Sequence, residues 1–172
     1  MFLIGDEVPA ERRATCALGC TRLSTACSPF NVRPPKASLQ RTEGITVPRQ
    51  IVFTSKAAKP PPAYSQAVKA AGLVFVSGTA PVNPATGAIE GTTVQEQTAQ
   101  CLVNIKAILE EAGSSLDKVA SVTVMLADED DFAGMNEEWL KWFSSNPPAR
   151  QGAKLPARIP GLKVSIAAIA EA

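Results

Sequence analysis

Histidine is absent from all 172 residues of the chain. Its absence removes the usual general base at neutral pH, the Ser–His and Cys–His nucleophile pairs, and the commonest metal ligand. Any chemistry here must proceed without an imidazole. Aromatic residues are also few, at 5% of the chain, and Tyr64 is the only tyrosine. No apolar run reaches the roughly 18–20 residues that a membrane-spanning helix requires, so no membrane association is expected. Of four cysteines, Cys16, Cys20 and Cys27 fall at spacings that match no zinc pattern and lack a fourth ligand, and they read as incidental. Cys101 lies on the apolar face of a predicted helix and reads as a small buried hydrophobe rather than a nucleophile. The chain carries no glycine-rich phosphate loop, CxxC pair or metal-binding helix motif.

What remains is ordinary for a globular protein: 45% hydrophobic and 19% charged residues, in a length that suits one core plus an extension. The charge is uneven. Residues 1–50 hold seven Lys/Arg against four Asp/Glu, and residues 51–172 hold ten against twelve, so the second part stands at −2. That balance is unlike a protein that grips many phosphates, and a nucleic-acid partner is not expected. Residues 1–45 are rich in Arg, Ser, Thr, Ala and Pro without sustained periodicity, which reads as a disordered tail of the transit-peptide kind, for plastid or mitochondrion. Asp6, Glu7 and Glu11 run against that reading; a plain disordered extension on a cytoplasmic protein is the alternative. The folded domain is expected over 46–172.

Within it, "ITVPRQIVFTS" and "GLVFVSGTA" read as strands joined by a proline-rich loop, with a short strand at Ala88–Glu90. Thr93 and Glu96 form a capping box that opens a helix with Val94, Thr98, Cys101, Ile105, Ile108, Leu109 and Ala112 on one stripe, ended by Gly113. "KVASVTVMLA" is a β-branched strand. The acids Asp128, Glu129, Asp130 and Asp131 supply an N-cap and favourable charge to a second helix, Phe132 to about Ser144, rather than a metal site. Phe132, Met135, Trp139, Leu140 and Phe143 form its expected buried face, and Glu137 and Glu138 a solvated one. Pro147 and Pro148 stop it, an irregular strand follows in "ARQGAKLPARI", and "GLKVSIAAIAEA" is the last. The pattern is α+β: a sheet with two helices packed on one face. Ser77, Thr79, Thr123, Ser165 and Ala167 make the other face semi-polar, which suits contact with another subunit.

Arg150, in "PPAR", has no acidic residue in the next dozen positions. Its planar fork can hold a carboxylate through two parallel hydrogen bonds. The competing reading is a surface ion pair with the acids at 128–131 or with Glu137. Tyr64 follows a stiff proline run and can close a pocket or simply pack. Asn136, Ser77 and Gly78 sit at element ends, where caps and turns are the commoner explanation.

The segments "KAAKPPPAYSQAVKAAGLVFVSG", "EQTAQCLVNIKAILEEAGSSLDKV", "VMLADEDDFAGMNEEWLKWF" and "PPAR", in this order, resemble the Rid family, also called YjgF, the reactive intermediate deaminases. The resemblance implies a chorismate-mutase-like fold of the bacillus type, with a mixed β-sheet, assembled as a homotrimer with clefts between subunits. It implies hydrolysis of 2-imino and 2-enamino acids to 2-oxo acids and ammonia, with neither metal nor cofactor. By the same resemblance Arg150 binds the substrate carboxylate, Tyr64, Ser77, Gly78 and Asn136 line the site, and the backbone of Gly152 contacts the substrate nitrogen or the attacking water. The chain departs from the family in its last strand, where "KVSIAAIA" places Ser165 and Ala167 at positions that carry acids in members resembling "KIEIEAIA". Glu90 and Glu171 are candidate substitutes. A non-catalytic trimer that binds small 2-oxo acids, and an RNA-directed ribonuclease or translation-inhibiting role, are the alternatives.

Overall fold

The computed structural model describes residues 48–172; the segment read as a transit peptide, with Cys16, Cys20 and Cys27, lies outside the described residues. Six strands build one sheet: β1 Gln50–Val52, β2 Ala67–Ala70, β3 Leu73–Thr79, β4 Val119–Leu126, β5 Ala149–Lys154 and β6 Val164–Glu171. Their order is β1-β2-β3-β6-β4-β5, with β4 and β5 parallel and every other neighbouring pair antiparallel. Helix α1 (Val94–Glu111) packs across β3 and β6, and α2 (Phe132–Trp142), which connects β4 to β5, packs on α1. The sheet is mixed because a parallel pair needs a crossover, and α2 supplies it.

The start of α1 is as its sequence indicates. Thr93 Oγ1 accepts the Glu96 amide at 3.2 Å, and the Glu96 carboxylate accepts the amides of Thr93 at 3.0 Å and Thr92 at 2.8 Å. Those backbone donors, Thr93 first, hold the Glu96 carboxyl below its ordinary value. All seven stripe residues of α1 are buried, facing Val74, Val76, Val122, Val124, Val164 and Ile166 of the sheet. The helix also buries two amides that a hydrophobic pattern does not reveal. Gln97 donates to the carbonyls of Gly91 (3.0 Å) and Gly161 (2.7 Å) and accepts from the Lys163 amide (2.8 Å). Asn104 donates to Ala80 and Val82 carbonyls. Both satisfy backbone groups of the loops around α1.

Several expectations are corrected. Ala67–Ala70, read as loop, is strand β2, joined to β3 by the two-residue turn Ala71–Gly72 at φ +51° and +77°. Two positive φ angles mark a type I′ hairpin, which usually carries Asn-Gly; alanine at the first position hid it. The short strand at 88–90 reduces to a single bridge between Val82 and Ile89. Helix α2 ends at Trp142, and while Met135, Trp139 and Phe143 are buried, Phe132 is 50% and Leu140 65% exposed. Phe132 borders a cavity that Gly152, Ala153 and Lys154 of β5 also line. Asp128 caps a short 3-10 turn by accepting from the Asp130 amide, and Asp131 pairs with Lys163 at 3.2 Å instead of capping α2. A bulge between Val76 and Thr79 pairs Thr79 with Ile166, turning it to the helix side rather than the open face.

Glu138 is buried rather than solvated, accepting from Lys141 Nζ at 2.7 Å and Trp142 Nε1 at 2.9 Å. The Lys141 bond holds its carboxyl below the ordinary value despite burial. A depressed carboxyl stabilises the fold above its unfolded pKa and ceases to as pH falls through its folded one. The urea midpoint of Glu138→Gln is therefore lower than wild type at pH 7, with the gap closing below about pH 4. A second measurement concerns the hairpin: Ala71→Asn raises stability by about 0.5–1 kcal/mol in urea unfolding, because asparagine tolerates positive φ better than alanine.

Candidate functional site

The parallel register sets Arg150 opposite Val122, so its side chain leaves the open edge of the sheet on the helix side and runs beneath α2. Its Nη2 donates to Asn136 Oδ1 at 2.6 Å and its Nη1 to Met135 Sδ at 3.6 Å. The guanidinium carbon lies 5.0 Å from the centre of the Trp139 ring and 6.0 Å from that of Phe132. Every one of these partners is neutral. Among the described residues no carboxylate pairs with Arg150: Asp131 is engaged by Lys163, and Glu137 accepts from Gln95 at 3.0 Å. The ion-pair reading is thereby set aside. Asn136 is neither cap nor turn but the residue that orients the guanidinium, and donors remain for an anion from outside.

Tyr64 stands on the loop that follows Pro60–Pro62 and is 50% exposed. What steadies that loop is Gln66, which sequence reasoning passed over. Its amide accepts from the Thr54 backbone at 2.7 Å and donates to the Thr54 carbonyl at 3.0 Å and the Ala58 carbonyl at 2.9 Å. A single buried glutamine in a polar loop leaves no periodic signal; only its four-percent exposure gives it away. Ser77 Oγ donates to the Ser65 carbonyl at 2.8 Å and ties the same loop to β3. Tyr64, Ser77 and Gly78 therefore come together, around a cavity of about 450 Å³ that Met125, Ile159 and Ser165 help to line. A Cβ on Gly78 would sit 3.3 Å from Met125 Cε and 3.4 Å from Ser165 Oγ, which accounts for glycine there.

Gly152 follows Arg150 by two residues and faces a separate cavity. The candidate residues thus fall into two groups within one chain: Tyr64, Ser77 and Gly78 around β3, and Arg150, Asn136 and Gly152 around β5. In the sheet order β6 and β4 stand between those strands, a separation of about 14 Å at three strand spacings.

Ala167 pairs with Thr123, which pairs in turn with Gln151, and Gln151 Nε2 donates to Thr123 Oγ1 at 2.9 Å. This row of the open face carries an amide and a hydroxyl and no carboxylate. Glu171 is four residues further along β6, about 13 Å away, and Glu90 lies in the loop ahead of α1. Cys101 is fully buried with its thiol pushed up by desolvation, so it is packing rather than a nucleophile. Among the described residues no group of three or more His, Cys, Asp or Glu side chains is arranged to hold a metal ion, and no helix is long and apolar enough to cross a membrane.

Residues 54–172 match the family described as endoribonuclease L-PSP. A RutC family protein of Pyrococcus abyssi is 46% identical over 112 residues, covering 65% of this chain and 87% of the relative. Reactive Intermediate Deaminase A, chloroplastic, of Arabidopsis thaliana is 39% identical over 137 residues, covering 80% and 73%. The 2-iminobutanoate/2-iminopropanoate deaminase of Rattus norvegicus is 38% identical over 122 residues, covering 71% and 89%. Among solved structures, E. coli TdcF with bound serine superposes with a TM-score of 0.66 at 34% identity, covering 72% of this chain and 98% of that one. The mixed sheet, its two helices and these likenesses agree on a chorismate-mutase-like α+β fold, and the chain belongs to the L-PSP family of YjgF-type Rid proteins.

Proposed function

We propose that the protein hydrolyses reactive 2-imino and 2-enamino acids to 2-oxo acids and ammonia, with Arg150 holding the substrate carboxylate at a site completed by a neighbouring subunit. The observation that carries this reading is a guanidinium fixed by neutral partners alone: Asn136 at 2.6 Å, the Met135 sulfur, and the faces of Trp139 and Phe132. Its positive charge is uncompensated by any described acid, and its position is set before a ligand arrives. The names of the Arabidopsis and rat relatives, both deaminases, support the reaction, and the serine in E. coli TdcF supports a small acid as ligand.

The chemistry asks little of the protein. The imine carbon is electrophilic once its nitrogen is protonated, and water adds to it. The tetrahedral adduct then releases ammonia, leaving the oxygen of that water as the new carbonyl. Orientation and a placed water supply most of what such a step needs. Arg150 fixes the carboxylate, and the backbone of edge strand β5 at Gly152 offers polar groups to the nitrogen or the water.

Within one chain Arg150 and the Tyr64–Ser77–Gly78 group border separate regions with two strands between β3 and β5. A second copy can bring them together, which favours the homotrimer. The open face supplies a surface for it: Ile51, Val68, Phe75 and Ile169 stand in register across four strands, with Ile51 59% and Phe75 41% exposed. Residues 1–45 are read as an organelle-targeting segment, supported by relatives whose names are chloroplastic and mitochondrial.

The acid-free row at Ala167, Thr123 and Gln151 favours a second reading, in which the same cleft binds 2-oxo acids without turnover. An RNA-directed role, suggested by the family's descriptive name, has the −2 balance of residues 51–172 against it.

With a threonine dehydratase and threonine, the purified protein is expected to speed 2-oxobutanoate release over buffer, and Arg150→Ala to lose at least about a hundredfold in kcat/KM. No acceleration, together with calorimetric 2-oxobutanoate binding that Arg150→Ala abolishes, would assign the binder reading instead. The shared site is checked by mixing Arg150→Ala with Gly78→Trp after dissociation and reassembly. Two inactive variants are expected to recover about a quarter of wild-type activity through hybrid clefts that are intact on both sides. Failure of hybrid trimers to recover any would exclude a site contributed by two subunits.

A further inference from the structure

Four consecutive residues of α2 divide between two tasks. Met135 and Asn136 meet the Arg150 guanidinium, while the residues on either side of them, Gly134 and Glu137, meet the first turn of α1. A Cβ built on Gly134 would lie 2.8 Å from Val94 Cγ1, 2.8 Å from Gln95 Nε2 and 3.0 Å from Gln95 Cδ. Unbonded carbons settle at about 3.5–4.0 Å, so a side chain at this position would need roughly 1 Å more room. Gly134 has helical backbone, where glycine is a poorer choice than alanine. Close approach of the two helices is what calls for it.

The α1 side of the contact is the firmer one. Val94 is 5% exposed, and a β-branched side chain in a helix has little rotameric freedom. It follows directly on Thr93, whose capping box with Glu96 fixes this turn. Gln95 can swing aside, but only by giving up the bond to Glu137 at 3.0 Å. A methyl group at 134 is therefore accommodated by moving the first turn of α2 outward. That turn carries the Asn136 oxygen, 2.6 Å from Nη2.

We infer that Gly134 is a positioning residue for the carboxylate site: by seating α2 against Val94 and Gln95, it sets where Asn136 and Met135 hold the guanidinium. The inference rests on the role proposed above for Arg150, and it assigns the geometry of that site to a helix–helix contact remote from the ligand.

The test measures 2-oxobutanoate affinity by calorimetry, and the urea midpoint, for the full chain as wild type, Gly134→Ala, the pair Val94→Ala and Gln95→Ala, and all three substitutions together. Gly134→Ala should weaken binding about ten- to a hundredfold, as a displacement near 1 Å does. The triple variant should bind within about threefold of the Val94→Ala, Gln95→Ala pair, since the methyl group then has room. A glycine with only a structural role would shift the urea midpoint and leave the affinity of the folded protein alone. Unchanged affinity in Gly134→Ala, or the same loss with Val94 and Gln95 truncated, overturns the inference. If Gly134→Ala does not fold, Gly134→Ala with Val94→Ala takes its place, leaving only the flexible Gln95 against the methyl; a smaller loss, reversed on adding Gln95→Ala, is expected, and no loss overturns the inference. Each of these failures leaves Arg150-dependent binding standing. If wild type binds no 2-oxobutanoate, or Arg150→Ala binds it equally well, the carboxylate site itself fails and the positioning role falls with it.

Discussion

A guanidinium held by neutral groups is the interaction on which the rest of this structure depends. Had an acid stood where Asn136 does, 2.6 Å from Nη2, the pair would satisfy itself and leave little field for an incoming anion. An amide oxygen orients the fork without cancelling its charge, and the Trp139 face, itself stacked on Phe143 at 4.4 Å between centroids, stabilises the cation from a second direction. The crossover from β4 through α2 to β5 makes this arrangement possible, because it brings the edge strand under the helix that carries Met135, Asn136 and Trp139.

Much of the remaining scaffold is held by side-chain amides rather than by charge. Gln66 gathers the loop that carries Tyr64, Gln97 joins α1 to the approach of β6, and Asn104 fixes the segment after β3. Gln66 and Gln97 each bury a donor and an acceptor against loop backbone groups, and Asn104 donates to two loop carbonyls, so these loops are ordered without titratable groups. The cavity beside β5 carries the Glu129 and Lys154 side chains.

The candidate residues divide between β3 and β5, and the proposed function joins the two groups across a subunit boundary. With β6 and β4 interposed, strand spacing separates β3 from β5 by about 14 Å. On the proposed reading, assembly completes the cleft rather than only adding stability. The row of Ala167, Thr123 and Gln151 shows that the open face in this chain offers water hydrogen-bonding groups where a carboxylate could have stood, and turnover would have to rely on orientation.

By itself, the sequence determined what local pattern can encode. The capping box at Thr93 and Glu96, the buried stripe of α1, the β-branched runs of β3, β4 and β6, and the arginine without a nearby acid were all legible, since each depends on residues a few positions apart. Tertiary structure alone decided that Ala71–Gly72 turns a hairpin, that Phe132 and Leu140 face outward, that Thr79 crosses to the helix side at a bulge, and that two strands stand between β3 and β5. Periodicity records which side of an element avoids water. Strand order and register set which distant elements lie beside that side, and they follow from packing over the whole chain.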